Sequence, residues 1–290
     1  LELAELALRL TPREEIDLRL ARAIDCADCL DAAGATPEAR TVVEREIAAA
    51  PDGTDIAPAL VRLGWFCWRE GDFAAGVAAC RRALDRTTDL AQRAEIYETL
   101  TWLYEDHLPR AYESTLRLVE VRVEQGDEIL EARARLLSAY FGIVTGHPPD
   151  RAAIARDIEL LQRHNTLTQN PVPEMWMKFE DRLDESRAIL ARRLDFAHEV
   201  HDEQFAVACL FALGEVDTWL GDFASAHRSF DEALRLSDEL AGTTYLPSVH
   251  ACAAQLAAIE GRVEEAERHA GEAVRTAAKE IVVALARAAA

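Results

Sequence analysis

The chain has little of what most chemistries and compartments require. Lysine is nearly missing: of 32 basic residues among 290, only Lys178 and Lys279 are lysines. That bias reads as codon pressure in a GC-rich bacterial genome, with no functional meaning. Glycine (13) and proline (10) are sparse, and no run of Val, Ile and Thr reads as a strand. Ala, Leu, Glu and Arg dominate instead, a mixture that favours helix throughout. No stretch nears the roughly 18 uncharged apolar residues of a membrane span. The opening residues start at Leu1 without Met and do not form a signal peptide.

Positive charge is also short. Against 52 acidic residues the 32 basic ones leave a formal charge of −20. Such a surface repels phosphate backbones, so this segment is not expected to bind nucleic acid. The six cysteines (Cys26, Cys29, Cys67, Cys80, Cys209 and Cys252) are scattered, whereas a disulfide-stapled secreted domain is smaller and denser in Cys. A reducing, cytoplasmic setting is expected.

Catalytic equipment is missing as well. Cys26 and Cys29 form a CxxC with no second Cys or His pair at zinc spacing. Cys26, Cys67 and Cys80 occupy apolar helix slots, which reads as buried structural thiols. His198 and His201 stand at i, i+3, where a zincin helix needs i, i+4. The last turn of a helix is in any case an ordinary place for His. No GxxxxGK[ST] phosphate loop and no GxSxG elbow occur. Carboxylates fall at i, i+4 from arginines, as with Glu264 and Arg268, and read as solvated pairs. The expectation is therefore no enzyme, no catalytic residue, no metal and no cofactor in this segment.

What is present is a repeat. LVRLGWFCWREGDFAAGVAACRRAL around Gly71 matches LFALGEVDTWLGDFASAHRSFDEAL around Gly221. In both, a Leu-Gly (Leu63-Gly64, Leu213-Gly214) precedes a Gly-Asp-Phe turn. Small and apolar residues follow at helical spacing: Gly76, Cys80, Ala83 and Leu84, or Ala226, Phe230, Ala233 and Leu234. Gly64 and Gly214 fit places where a second helix crosses close to the first. Gly71 and Gly221 supply the positive φ that ends the first helix. Weaker copies turn at Gly34, near Asp106, at Gly146, at Asp181 and at Gly261. Their second helices carry Ala39, Val43 and Ile47; Ala111, Thr115 and Leu118; Ser186, Leu190 and Leu194; and Ala266, Ala270, Ala273 and Val274.

The turn spacings of 35 to 40 residues sit around the 34-residue tetratricopeptide period. The fold class expected is all-α, a right-handed superhelix (solenoid) of about seven tetratricopeptide-like helix pairs. It covers residues 1–290 as one domain, in which each pair touches mainly its neighbours. Residues 1–10 read as the tail helix of a preceding repeat. The break from Asn165 to Pro173 reads as a hinge, and the Ala-rich end beyond Ala277 departs from the pattern.

In tetratricopeptide pairs the first helix lines the concave groove. With Gly64 at the close approach, Val61, Trp65 and Trp68 fall on the groove face, while Leu60, Leu63 and Cys67 face the partner helix. The same register puts Tyr140, Phe211 and Glu215 on the groove. Two indoles one turn apart suit an apolar, planar or sugar-like ligand, or a partner's aromatic anchor. The alternative is that these aromatics close the interior of a tightly wound superhelix. Acidic residues on the same faces (Asp28, Asp31 and Glu215) would favour a partner with cationic or hydroxyl groups.

The order of LAELALRLTPREEIDLRLARAIDCADCLDAAGATPEARTVVE, the WxxREGDFAAGVAACRRAL block, EDRLDESRAILARRLDFAHEVHDE and LGDFASAHRSFDEALRLSDEL goes beyond a generic repeat. It resembles the helical region of the large ATP-binding LuxR-type transcriptional regulators, which are similar in plan to the maltose-responsive activator. The resemblance implies a fragment of a longer protein. An ATPase domain would precede it, the only place where ATP is expected, and a helix-turn-helix domain would follow. It implies a region that senses a small-molecule inducer or a protein partner in its groove and governs oligomerisation, homo-oligomers included. Neither nucleic acid nor membrane is an expected partner. The alternative is a free-standing tetratricopeptide peptide receptor or assembly scaffold.

Overall fold

A computed structural model of the chain describes residues 1–104, 107–164, 172–240 and 245–276. Among the described residues there are fifteen helices and no strand. Helix α1 (Glu2–Leu10) stands first, and seven pairs follow in sequence order. These are α2 (Ile16–Ala32) with α3 (Thr36–Ala49), α4 (Ala57–Glu70) with α5 (Phe73–Leu84), and α6 (Leu90–Leu103) with α7 (Leu108–Gln125). Next come α8 (Glu128–Val144) with α9 (Arg151–Arg163) and α10 (Val172–Phe179) with α11 (Leu183–Glu199). The last are α12 (Glu203–Leu220) with α13 (Phe223–Glu239) and α14 (Leu246–Ile259) with α15 (Val263–Thr276).

The turns inside the pairs share one chemistry. A residue in the left-handed region ends the first helix at Gly34, Gly71, Gly146, Asp181, Gly221 and Gly261. After each, the next amide reaches back five residues to a carbonyl of the first helix, as in Asp72 N to Cys67 O at 2.8 Å and Asp222 N to Asp217 O at 2.9 Å. This is the Schellman closure, in which glycine avoids the Cβ clash. Asp181 takes the same conformation at φ 57° with a side chain that tolerates it. At Gly71 and Gly221 the Asp after the turn then caps the second helix: Asp72 accepts from Ala75 N at 3.2 Å and Asp222 from Ser225 N at 3.2 Å. Pro37, Pro58, Pro109 and Pro247 open α3, α4, α7 and α14, where a missing amide costs nothing. The turn expected near Asp106, residues 165–171 of the expected hinge and the end beyond Thr276 lie outside the described residues.

The chain divides into two compact units, Leu1–Asp157 and Ile158–Ala290. In the first, the second-helix stripes expected from spacing are buried at Ala39, Val43, Cys80, Ala83, Ala111, Thr115 and Leu118. A Cβ added at Gly64 would lie 2.7 Å from the Cys80 sulfur, and one at Gly76 would lie 3.1 Å from the Gly64 carbonyl oxygen. The two glycines therefore bring the backbones of α4 and α5 together.

In the second unit Ser186, Leu190, Ala226, Phe230, Ala233, Ala266, Ala270 and Ala273 are buried. Val274 is exposed, so the α15 stripe ends at Ala273, one residue short of the expectation. A Cβ on Gly214 would fall 2.4 Å from the Phe230 ring. Beneath α11, the buried Glu174 pairs with Arg193, whose guanidinium lies 5.0 Å from the Phe205 ring centroid. Burial pushes the Glu174 carboxyl up to about 7 against the pull of Arg193. All six cysteines are free. Burial pushes the Cys80 thiol up to about 12 and Cys67 up to about 11, which keeps both as unreactive packing groups.

Candidate functional site

Helix α4 is apolar on both sides because it lies between α5 and the helices of the flanking pairs. Of the residues assigned to its groove face, Val61 and Trp68 are buried and Trp65 is half-buried. Trp65 stacks on Trp68 with centroids 4.8 Å apart. The contact continues beyond one helix. Trp68 lies 6.4 Å from Trp102 of α6, Trp102 lies 5.9 Å edge-on to Phe141 of α8, and Phe141 lies 5.0 Å from Tyr140. Five rings thus run unbroken across the first helices of three consecutive pairs. Offset and edge-on contacts of this kind contribute about 0.5–1.5 kcal/mol per pair beyond their buried area. Trp68 and Phe141 form the interior of the row, while Trp65, Trp102 and Tyr140 keep part of their surface open. The Arg69 guanidinium sits 5.5 Å from the Trp65 centroid and closes one end.

Sequence reasoning found Trp65, Trp68 and Tyr140 but missed Trp102 and Phe141. The α6 pair lacks the Leu-Gly signature, so its register could not be set from spacing. One signal was available: Trp102 precedes the end of its helix by about as much as Trp68 precedes Gly71.

In the second unit Phe211 stacks on Tyr245 at 5.9 Å. Glu215 of α12 pairs with Lys178 of α10, and the same ammonium lies 5.5 Å from the Trp219 centroid. The acidic residues require a correction. Asp28 is paired with Arg62. Asp31 is buried, accepts from Thr36 Oγ1 at 2.7 Å and faces Arg69 at 3.4 Å. Glu215 is held by Lys178. Each carboxylate is matched by a cation one helix pair along the chain, so none of the three waits for a cationic ligand. Burial still raises the Asp28 carboxyl above its ordinary range, with Arg62 opposing the shift.

His198 lies in the last turn of α11, and His201 occupies a left-handed turn at φ 56°. Among the described residues no three His, Cys, Asp or Glu side chains gather as a metal site would need. His250 and His269 do meet, with their Nδ1 atoms 2.9 Å apart. Burial, then Arg268, holds the His269 imidazole down to about 4. Two neutral rings sharing one proton account for the contact. No helix among the described residues is long and apolar enough to cross a membrane.

No family model matches the chain, and no curated protein is similar to it. Solved structures are. A tetratricopeptide repeat protein from Parabacteroides merdae superposes with a TM-score of 0.53 at 13% identity, covering 93% of this chain and 98% of that one. A Rap protein complexed with Competence and Sporulation Factor gives 0.54 at 11% identity, covering 90% and 89%. A Signal Transduction ATPase with Numerous Domains from Pyrococcus horikoshii, which has a tetratricopeptide repeat sensor, gives 0.52 at 11%. There 99% of this chain is covered but only 46% of that one, so this chain spans less than half of that protein's length. None of these points to a catalytic family. At such low identities the likeness reports architecture alone, and the architecture is the all-helical tetratricopeptide solenoid.

Proposed function

We propose that the chain is an interaction scaffold that serves as the sensor and oligomerisation region of a cytoplasmic, ATP-dependent transcriptional regulator of the LuxR-type plan, and that it carries no catalysis of its own. The observation that supports this reading is the row of five rings from Trp65 to Tyr140. A stack needs apolar contacts where neighbouring pairs meet, which here include first helix on first helix, α2 on α4, α4 on α6 and α12 on α14. It does not need indoles on the first helices of successive pairs with part of their surface left open. Half-buried aromatics of this kind recur as anchors at recognition sites. The Pyrococcus protein pairs a tetratricopeptide sensor with a signal-transduction ATPase, which supports the regulator context. The −20 charge argues for a protein or small-molecule partner over nucleic acid. The ATPase and DNA-binding activities would belong to flanking domains.

Calorimetry of the chain against sugars, metabolites and peptides tests the scaffold reading. Trp65→Ala and Trp102→Ala should weaken a bound ligand about tenfold or more while leaving the fold intact. Unchanged affinity in both variants would sink the assignment. The regulator context is tested separately in the reading frame around the segment. A GxxxxGK[ST] loop upstream and a helix-turn-helix downstream support it. A short frame without them favours a free-standing peptide receptor or assembly scaffold, the reading that the Rap complex supports.

A further inference from the structure

Among the described residues helix α10 has eight residues, where the first helices that follow it, α12 and α14, have 18 and 14. Helices shorter than about 12–15 residues do not hold themselves in water, so α10 depends on what it packs against. Its apolar side buries Trp176 and Met177. Its polar grip is Glu174, 4% exposed, whose carboxylate pairs with Arg193 of α11, 7% exposed. Ser186 Oγ of α11 donates to the Glu174 carbonyl oxygen at 3.0 Å. Lys178, farther along α10, pairs with Glu215 of α12.

The buried pair is incomplete. Arg193 Nη1 donates to Glu174 Oε1, while Glu174 Oε2 and Arg193 Nε are buried with no hydrogen-bond partner. A carboxylate and a guanidinium match best through two parallel bonds, and here one is made. An ionised carboxylate in this place keeps one oxygen unsolvated, a cost that a proton on the carboxyl relieves. Arg193 keeps other support, since its guanidinium lies 5.0 Å from the Phe205 ring centroid and hydrogen-bonds the Cys209 sulfur of α12. The charged and titratable groups around the pair are Lys178 on α10, Asp202 at the start of α12, Cys209 on α12, and Glu215 beyond Lys178. Arg193 and then Lys178 favour the charged carboxyl, yet burial outweighs both and holds it up to about 7. Burial also pushes the Cys209 thiol up to about 12, so it stays protonated.

We propose that Glu174 and Arg193 form a proton-operated latch, which fastens α10 to α11 while Glu174 carries a proton and loosens as that proton leaves. Lifting α10 brings the carboxyl into water, where it ionises near its ordinary value of 4.5. Between that value and the raised one, release sheds a proton, so rising pH favours release by up to about tenfold per unit. A raised carboxyl stabilises the docked helix fully below 4.5; that stabilisation is lost as pH climbs to about 7, and the profile levels above. Release uncovers Ser186 and Arg193 of α11 and frees Glu215 from Lys178. The latch gives the second unit a moving part, and it stands whatever the ring row binds.

Hydrogen exchange of the full chain from about pH 5 to 8, with rates corrected for the intrinsic pH dependence of exchange, reads the latch directly. Protection of residues 172–179 should fall about tenfold or more between roughly pH 5 and 7 and level off above, while residues 223–239 keep theirs. Glu174→Gln, which cannot ionise, should hold 172–179 at the acid level of protection at every pH. Glu174→Leu with Arg193→Met, an apolar pair in the same space, should do the same and covers the case in which Gln matches the guanidinium poorly. Arg193→Gln removes the pull toward the charged form and should move the fall to higher pH. A wild-type profile that is flat over this range overturns the proposal. So does a Glu174→Gln profile with the wild-type pH dependence, since another group would then titrate. Protection lowered at every pH in both Glu174 variants overturns it as well, because the charged pair would then be a fixed clamp.

Discussion

The pairs α4–α5 and α12–α13 share a turn, a cap and a Leu-Gly, yet they solve their helix crossing in different ways. In the first, Gly64 faces the small Cys80, and a Cβ on Gly76 would lie 3.1 Å from the Gly64 carbonyl oxygen. In the second, Ala226 replaces that second glycine and the Phe230 ring fills the space where a Gly214 Cβ would stand. One crossing is closed by backbone and the other by a ring. The turn is therefore the conserved device within this chain, and the packing behind it is negotiable in volume so long as the first helix offers no Cβ.

That contrast can be broken by mutation. Phe230→Ala should cost about 3–5 kcal/mol because it empties the space that the ring fills. Cys80→Ala, at the matching position, should cost roughly 1 kcal/mol, since only a sulfur is lost. Equal losses in urea melts would mean that the crossings are alike after all. Gly214→Ala should cost about 1–3 kcal/mol through overpacking against Phe230. Adding Phe230→Leu should recover part of the loss, because neighbours that share space do not add. A strictly additive double mutant would contradict the contact.

The smallest expected effect separates the caps. Asp222 accepts from both the hydroxyl and the amide of Ser225 and also meets Arg187, and these hold its carboxyl below the ordinary range. A depressed carboxylate stabilises the fold above its unfolded value near 4, and that stabilisation is lost as pH falls through the lower folded value. Asp222→Asn should flatten the acid limb of the stability–pH curve of the second unit. An unchanged limb would show that the cap adds nothing there.

How much of this was legible in the sequence follows from range. The turns were readable because a left-handed residue and a capping Asp are local demands, both met by Gly-Asp at Gly71 and Gly221, while Asp181 meets only the first. The stripe residues Val43, Leu118 and Phe230 were readable for the same reason. The pairing of Asp28 with Arg62 and of Glu215 with Lys178 was not, because the partners lie 34 and 37 residues apart and meet only when the pairs stack. Trp102 joined the ring row through a contact of the same range.

The central claim is that the open ring surfaces on the first helices α4, α6 and α8 recognise a partner. Hydrogen exchange of the full chain with and without a ligand found in the calorimetric screen tests it most directly. The account predicts added protection in residues 57–70, 90–103 and 128–144, with residues 73–84 and 108–125 unchanged. Protection confined to the second helices would contradict it.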